Sequence, residues 1–209
     1  LAVVSVNNGQ PSYQFYRDGT AERQLNHDIL AETTPSTTKI FHVGSIALID
    51  GEDANLWEQK FRELAEQDVI TSLDPNIREL LVKNKQQYLD RLDRMSKHAN
   101  ILKLSDEDLN YMRPEASLGD AFNEICSTTE AQIIVLTMGA KGARVKAGEI
   151  SFEVSAAVCN PLVDTVGAGD TFMGTILAEI NEKNVSAATL SNISDCLLYT
   201  SPSPRDDGV

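Results

Sequence analysis

Four short runs rich in β-branched and aliphatic residues, each separated from the next by a stretch of helical periodicity, narrow this chain to one class of fold. The runs are "KIFHVGS" (39–45), "VITSLDP" (69–75), "NILKLS" (100–105) and "QIIVLTMG" (132–139). Between them Leu56, Trp57, Phe61 and Leu64 recur at helical spacing, as do Tyr88, Leu89, Leu92 and Met95, and a further helix is centred on Leu118 to Cys126. Strands that are nearly all apolar and alternate with helices predict an α/β domain whose sheet is largely parallel and covered on both faces. "ARVKAGEISFEV" (143–154) alternates in polarity and turns at Ala147-Gly148, predicting a hairpin at a sheet edge. "AVVSV" and "YQFYR" (13–17), joined by the turn-like "NNGQPS", predict a separate strand pair.

Composition excludes several classes of function. The 209 residues suffice for one α/β domain with a small appendage. With 18 Lys and Arg against 31 Asp and Glu, a net charge of −13, the chain is unsuited to nucleic acid or to an anionic membrane. No run approaches the roughly 20 apolar residues of a membrane span, and no cleavable signal pattern opens the chain. Cys126, Cys159 and Cys196 lack CxxC spacing, so neither a zinc site nor a disulfide frame is expected, and a reducing cytoplasm fits best. The two glycosylation sequons at Asn184 and Asn192 read as coincidences in such a chain. The chain opens on Leu1, already inside a strand-like run, and closes on the Ser/Pro/Asp-rich "LLYTSPSPRDDGV". The expectation is a domain over residues 1–195, truncated at its start, followed by a disordered or non-native tail over 196–209.

Unusual residues collect at the ends of the strand runs, where open α/β sheets bind ligands. His42-Val-Gly-Ser45, Asp74-Pro-Asn-Ile-Arg78, Lys103-Leu-Ser105 and Thr137-Met-Gly139 all occupy such ends. Each also reads as plain turn or cap chemistry: Ser105 with Asp108 forms a capping-box pattern, and Asp74-Pro75 suits a turn.

The segment "DTVGAGDTFMG" (164–174) is more specific. Small residues at a helix start expose unpaired N–H groups at the positive end of the dipole, an anion site centred on Gly167 to Gly169. An aspartate in that same turn, Asp170, repels the anion unless it takes a proton from the attacking group, which points to phosphoryl transfer. A dinucleotide fingerprint is excluded, because the third glycine position holds Phe172 and Gly174 comes two residues late; no P-loop pattern occurs. Phe172, Ile176 and Ile180 mark the buried face of the helix that follows.

"DTVGAGDTF" resembles the second signature of the ribokinase-like (PfkB-type) carbohydrate kinases. "SYQFYRDGTAERQL" is similar to the substrate lid of fructokinase-like members, "FHVGSIAL" to a core strand and "LDPNIR" to the family's D-x-N-x-R strand end. "ILKLSDEDL" and "LTMGAKGA" resemble its phosphate/magnesium-side and nucleotide-side segments, so the likeness runs from about residue 1 to 190.

The resemblance implies a three-layer αβα sandwich with a small β lid near residues 1–25, incomplete in this chain, and ATP-dependent phosphorylation of a sugar hydroxyl. It implies Asp170 as the catalytic base, with the amides of Gly167, Ala168 and Gly169 as the anion hole. Lys103, Ser105, Thr137, Gly139 and Gly142 fall to the nucleotide side, and Asp164 and Thr165 to a monovalent-cation site or the phosphate-side turn. Asp108 stands where relatives carry a Glu that orders magnesium through water, and Ser105 replaces a frequent Asn. Tyr16 and Arg17 from the lid, with Arg78 across the crevice, are the substrate contacts it suggests. Fructose is the favoured sugar, 2-keto-3-deoxygluconate the nearest rival, and a silent ligand-binding member of the fold the rival from another class. The expected partners are a sugar and ATP, with a homodimer formed through the lid. The sugar loop and the adenine-side segment of the family are expected to lie outside this sequence, which would leave the fragment itself inactive.

Overall fold

Residues 133–137, Ile-Ile-Val-Leu-Thr, offer apolar side chains to both sides of a strand, and both sides are covered. In the computed structural model, which describes residues 2–7, 10–158 and 165–192, a six-stranded sheet is built around this segment. Its strands in spatial order are β3 (Ile40–Gly44), β4 (Ile70–Asp74), β5 (Ile101–Ser105), β6 (Ile133–Thr137), β7 (Ala143–Ala147) and β8 (Ile150–Val154). β3 to β6 run parallel, while β7 and β8 are antiparallel and turn at Gly148 and Glu149, one residue beyond the position the sequence suggested. β1 (Ala2–Asn7) and β2 (Gln10–Phe15) form a second, two-stranded antiparallel sheet. β2 ends at Phe15, so Tyr16 and Arg17 lie in the bend beyond it.

Alternation along each strand divides the core in two. One cluster joins Val43, Leu73, Leu102, Leu104, Ile134 and Leu136 of the sheet to α2 (Gly51–Ala65), α3 (Lys85–Ser96), α4 (Asp106–Met112) and α5 (Leu118–Thr128). Phe61 and Tyr88 are at or near complete burial there, and each such side chain is worth roughly 1.5–3 kcal/mol. The other cluster joins Ile70, Ile101, Ile133, Val135 and Val145 to α6 (Ala168–Glu182) on the opposite face. The result is the expected three-layer αβα arrangement. On α6 the buried positions are Met173, Ile176 and Ile180, while Phe172 is only partly covered. A short α1 (His27–Thr33), capped by the Asn26 side chain on the Ile29 amide, is absent from the sequence reading. Among the described residues no helix is long and apolar enough to cross a membrane.

A charged clamp fixes α3 against α2. Arg91, 2% exposed, donates from Nε to Glu58 Oε2 at 3.1 Å, from Nη1 to the Leu48 carbonyl at 2.7 Å and from Nη2 to Asn55 Oδ1 at 2.6 Å. Arg94 donates to both Glu58 oxygens, at 2.6 and 3.0 Å. Burial opposes the Glu58 charge, yet the hydrogen bonds and charges of Arg94 and Arg91 together hold its pKa below the usual 4.5. A depressed folded-state pKa contributes stability above the unfolded value and loses it as pH falls through the folded one. Glu58→Gln is therefore expected to cost about 1–3 kcal/mol at pH 7, with the gap to the parent protein closing as pH falls below 4.5. Urea unfolding across that pH range is the measurement.

Candidate active site

On the face of the sheet that meets α6, each parallel strand changes character at its carboxyl end. β3 passes from Ile40 to His42 and Gly44, β4 from Ile70 to Ser72 and Asp74, β5 from Ile101 to Lys103 and Ser105, and β6 from Ile133 and Val135 to Thr137. The register places these polar residues side by side: His42 beside Ser72, Gly44 beside Asp74, Ser105 beside Thr137. Water cannot reach the middle of a sheet covered on both faces, so hydrophilic side chains gather where the strands stop.

Two of them form a buried ion pair. Lys103 Nζ lies 2.9 Å from Asp74 Oδ2, the side chains being 5% and 4% exposed. Burial pushes the Asp74 carboxyl up to about 6; Lys103 pulls the other way, while Asp108 and Asp170 reinforce the rise. Among the described residues Asp74 Oδ1 has no hydrogen-bond partner. The His42 ring keeps an exposed edge and has Nδ1 3.0 Å from Ser72 Oγ. Loss of water around the rest of the ring lowers its pKa from 6.5, with Asp170 opposing and Lys103 adding to the fall.

The first turn of α6 stands over this floor. Gly167, the N-cap, is left-handed at φ 75°, a conformation glycine adopts without strain. The helical ladder begins with the Thr171 amide donating to the Gly167 carbonyl at 2.8 Å, so the preceding amides of the turn lie ahead of it. The Ala168 amide, one of those expected in the anion hole, donates at 3.2 Å to the Thr165 carbonyl. A Cβ on Gly169 would stand 3.1 Å from Lys103 Nζ, which places the ammonium directly against this turn. Asp170 is exposed in the same turn and near enough for its charge to act on both His42 and Asp74. Asp164 lies outside the described residues; Thr165 is exposed at the start of the turn.

The other expected residues fall around this centre. Asp108 is buried with both oxygens accepting main-chain amides, Oδ1 from Ile77 at 2.7 Å and Oδ2 from Ser105 at 2.8 Å. Ser105 Oγ returns the bond to the Asp108 amide, so the capping box read from the sequence is present. Thr137 Oγ1 donates to the Leu104 carbonyl at 3.4 Å. Gly139 and Gly142 have φ of 53° and 93°; beside Gly139 there is open space, whereas a Cβ on Gly142 would collide with the Val154 carbonyl. Arg78 follows Asn76, whose φ of 40° is left-handed, as is that of Ser45 at 51°; such non-glycine residues store roughly 1–3 kcal/mol of strain apiece. Tyr16 is 58% exposed, its hydroxyl 3.4 Å from Gln14 Oε1.

Arg17 is held away from solvent in a charged cluster that the sequence did not reveal. Its Nε is 2.8 Å from Glu22, and its Nη atoms are 3.8 and 3.7 Å from Asp50 and Asp53 at the start of α2. Arg23 joins the same carboxylates at 3.1 and 3.0 Å. Asp74, too, was placed by the sequence at the ligand-binding strand ends but given no role of its own. The available signal was an acid ending one buried apolar run, "ITSLD", and a lysine inside the next, "ILKLS".

A family model described as pfkB family carbohydrate kinase matches residues 1–191. The chain belongs to the pfkB family of carbohydrate kinases. Among curated relatives, a fructokinase from Rhizobium leguminosarum bv. trifolii is 34% identical over 206 residues, covering 98% of this chain and 62% of that protein. A probable fructokinase-2 from Arabidopsis thaliana is 30% identical over 187 residues, covering 86% and 55% respectively. A Vibrio cholerae fructokinase crystallised with fructose, ADP and calcium superposes with a TM-score of 0.73 at 28% identity, covering 86% of this chain and 58% of that one. A double mutant of the Vibrio enzyme with fructose, ADP and potassium gives 0.77 at 26% identity, covering 95% and 62%. The chain thus spans about three fifths of the length of these relatives.

Gly44 shows how tightly the floor of the site is built, since a Cβ there would overlap the Asp74 carbonyl. Backbone cannot yield as a flexible side chain does, so Gly44→Ala is expected to destabilise the protein by about 1–3 kcal/mol. Denaturant unfolding of the variant beside the parent protein is the check.

Proposed function

We propose that the protein of which this chain forms part phosphorylates fructose with ATP. The observation that carries this reading is the match to fructokinases along nearly the whole chain, together with a cationic, amide-rich turn at the strand ends. Asp170 takes the proton of the attacking hydroxyl, whose oxygen forms the new bond to phosphorus as the bond to the nucleotide diphosphate breaks. The amides of Gly167 and Gly169 and the ammonium of Lys103 act on the charge that develops on the transferred group, and the Ala168 amide joins them on release from the Thr165 carbonyl. The left-handed Gly139, with open space beside it, suits close passage of a nucleotide, with Thr137 nearby, while Gly142 lets the chain beyond β8 pack behind that segment. Ser105 ends β5, the strand that carries Lys103, and Thr165 is assigned, together with Asp164, to the phosphate side or to a monovalent cation.

The residues fit a magnesium ion held through water. Asp108 already accepts an amide on each oxygen but keeps further lone pairs for a water in the ion's shell. Such an ion supplies charge neutralisation to the phosphates. Tyr16, Arg17 and Arg78 belong to the sugar side of the crevice. The rival substrate, 2-keto-3-deoxygluconate, needs a cation for its carboxylate. Arg17 already faces Glu22, Asp50 and Asp53, which favours the neutral sugar. Dimerisation through the β1–β2 sheet remains part of the same proposal.

In the full-length enzyme Asp170→Asn is expected to lower kcat by roughly 10²–10⁴ while nucleotide affinity stays nearly unchanged. Near-normal turnover would remove Asp170 from the mechanism. Fructose is expected to exceed 2-keto-3-deoxygluconate in kcat/KM, and the opposite order would overturn the choice of sugar while leaving the base in place.

A further inference from the structure

The placement of Lys103 is electrostatically odd. A helix start carries about half a positive charge, and cations are ordinarily found at the other end. Here an ammonium 5% exposed is set 3.1 Å from the Cβ position of Gly169, in the first turn of α6. Taking an ammonium out of water is unfavourable, and setting it against like charge adds to the penalty. A core built for stability alone would place an aliphatic side chain there, as β5 does two residues earlier with Ile101. What the arrangement offers is a charged donor held beside the turn's amides, suited to an anion that bridges the two, and it requires something to keep the ammonium from swinging away.

Asp74 is placed to do that. Its Oδ2 accepts from Lys103 Nζ at 2.9 Å, and it is itself fixed from behind, because its carbonyl packs against Gly44 so closely that no Cβ fits between. One oxygen holds the lysine while the other has no partner among the described residues. The pair spans neighbouring parallel strands, β4 and β5, so the sheet's hydrogen bonding sets the ammonium's position to within the play of one side chain. We infer that Asp74 is a positioning residue: it holds the Lys103 ammonium against the first turn of α6, so that Lys103 and the turn's amides act together on the phosphate groups. This rests on the proposed kinase reading and extends it to a residue that touches neither substrate.

The test uses the full-length enzyme with Asp74→Asn, Asp74→Glu, Lys103→Met and the Asp74→Asn/Lys103→Met double variant. Measured quantities are kcat, KM for fructose, and the affinities for ADP and for adenosine, which lacks phosphates. Asp74→Asn is expected to lower kcat by about 10–100-fold and ADP affinity by about tenfold, the order of effect of losing one charge-assisted hydrogen bond. KM for fructose and adenosine affinity should stay within about twofold, a split that general loosening of the fold would not produce. The double variant should be no worse than Lys103→Met, because one substitution already removes what the other supports. Asp74→Glu keeps the charge and thus the fold but moves the carboxylate, and it should show the same split if Asp74→Asn does not fold. Unchanged kcat and ADP affinity in both Asp74 variants, independent multiplication of the two single effects, or equal weakening toward ADP and adenosine would each overturn the inference. A parent enzyme that binds ADP without fructose-dependent turnover would refute the fructokinase reading, and the comparison of ADP with adenosine would still decide the role of Asp74.

Discussion

Both faces of a parallel sheet are covered by helices, and the site follows from that single constraint. Along the α6-facing side of β3 to β6, the positions inside the molecule are Ile40, Ile70, Ile101, Ile133 and Val135. From the middle of the strands toward their carboxyl ends, His42, Ser72, Asp74, Lys103 and Thr137 replace them. Polar chemistry is thereby confined to one edge of the sheet, and the helix that covers this face begins directly above that edge. α6 contributes the other half of the site because its apolar stripe, Met173, Ile176 and Ile180, docks on the same column of aliphatic residues. Packing and the candidate site are two ends of one surface.

The sequence disclosed the parts of this architecture that are local. Each parallel strand was found to within one residue at its start and two at its end, because burial on both faces leaves an uninterrupted apolar run. The glycine turn and Asp170 were legible because their chemistry lies within one segment. The buried stripe of α6 was half legible: Phe172 and Met173 both keep helical spacing with Ile176 and Ile180, and only the docked angle of the helix selects Met173. α1 and α4, each of seven residues, were too short to carry a periodicity, and their caps, Asn26 and Ser105, are the stronger mark.

Long-range pairing was not legible. Asp74 meets Lys103 across 29 residues, and Arg91 meets Glu58 across 33. Nothing in either segment announces its partner until strand order is known, since charge alone suits a solvated face equally well. The family resemblance supplied Lys103 as a candidate, yet Asp74 read as ordinary turn chemistry before Pro75. Its burial beside a cation is a property of the sheet.

The Arg17, Arg23, Asp50 and Asp53 cluster joins the bend after β2 to the start of α2. Its members differ in access to ions: Asp53 is 3% exposed, whereas Asp50 is 35% exposed and its side chain also meets Lys83. Dissolved salt, with a screening distance of about 8 Å at physiological strength, weakens the outer contacts far more than the inner ones. The joint is therefore graded: the contacts at Asp53 are shielded from dissolved ions, whereas those at Asp50 and Lys83 weaken as ionic strength rises.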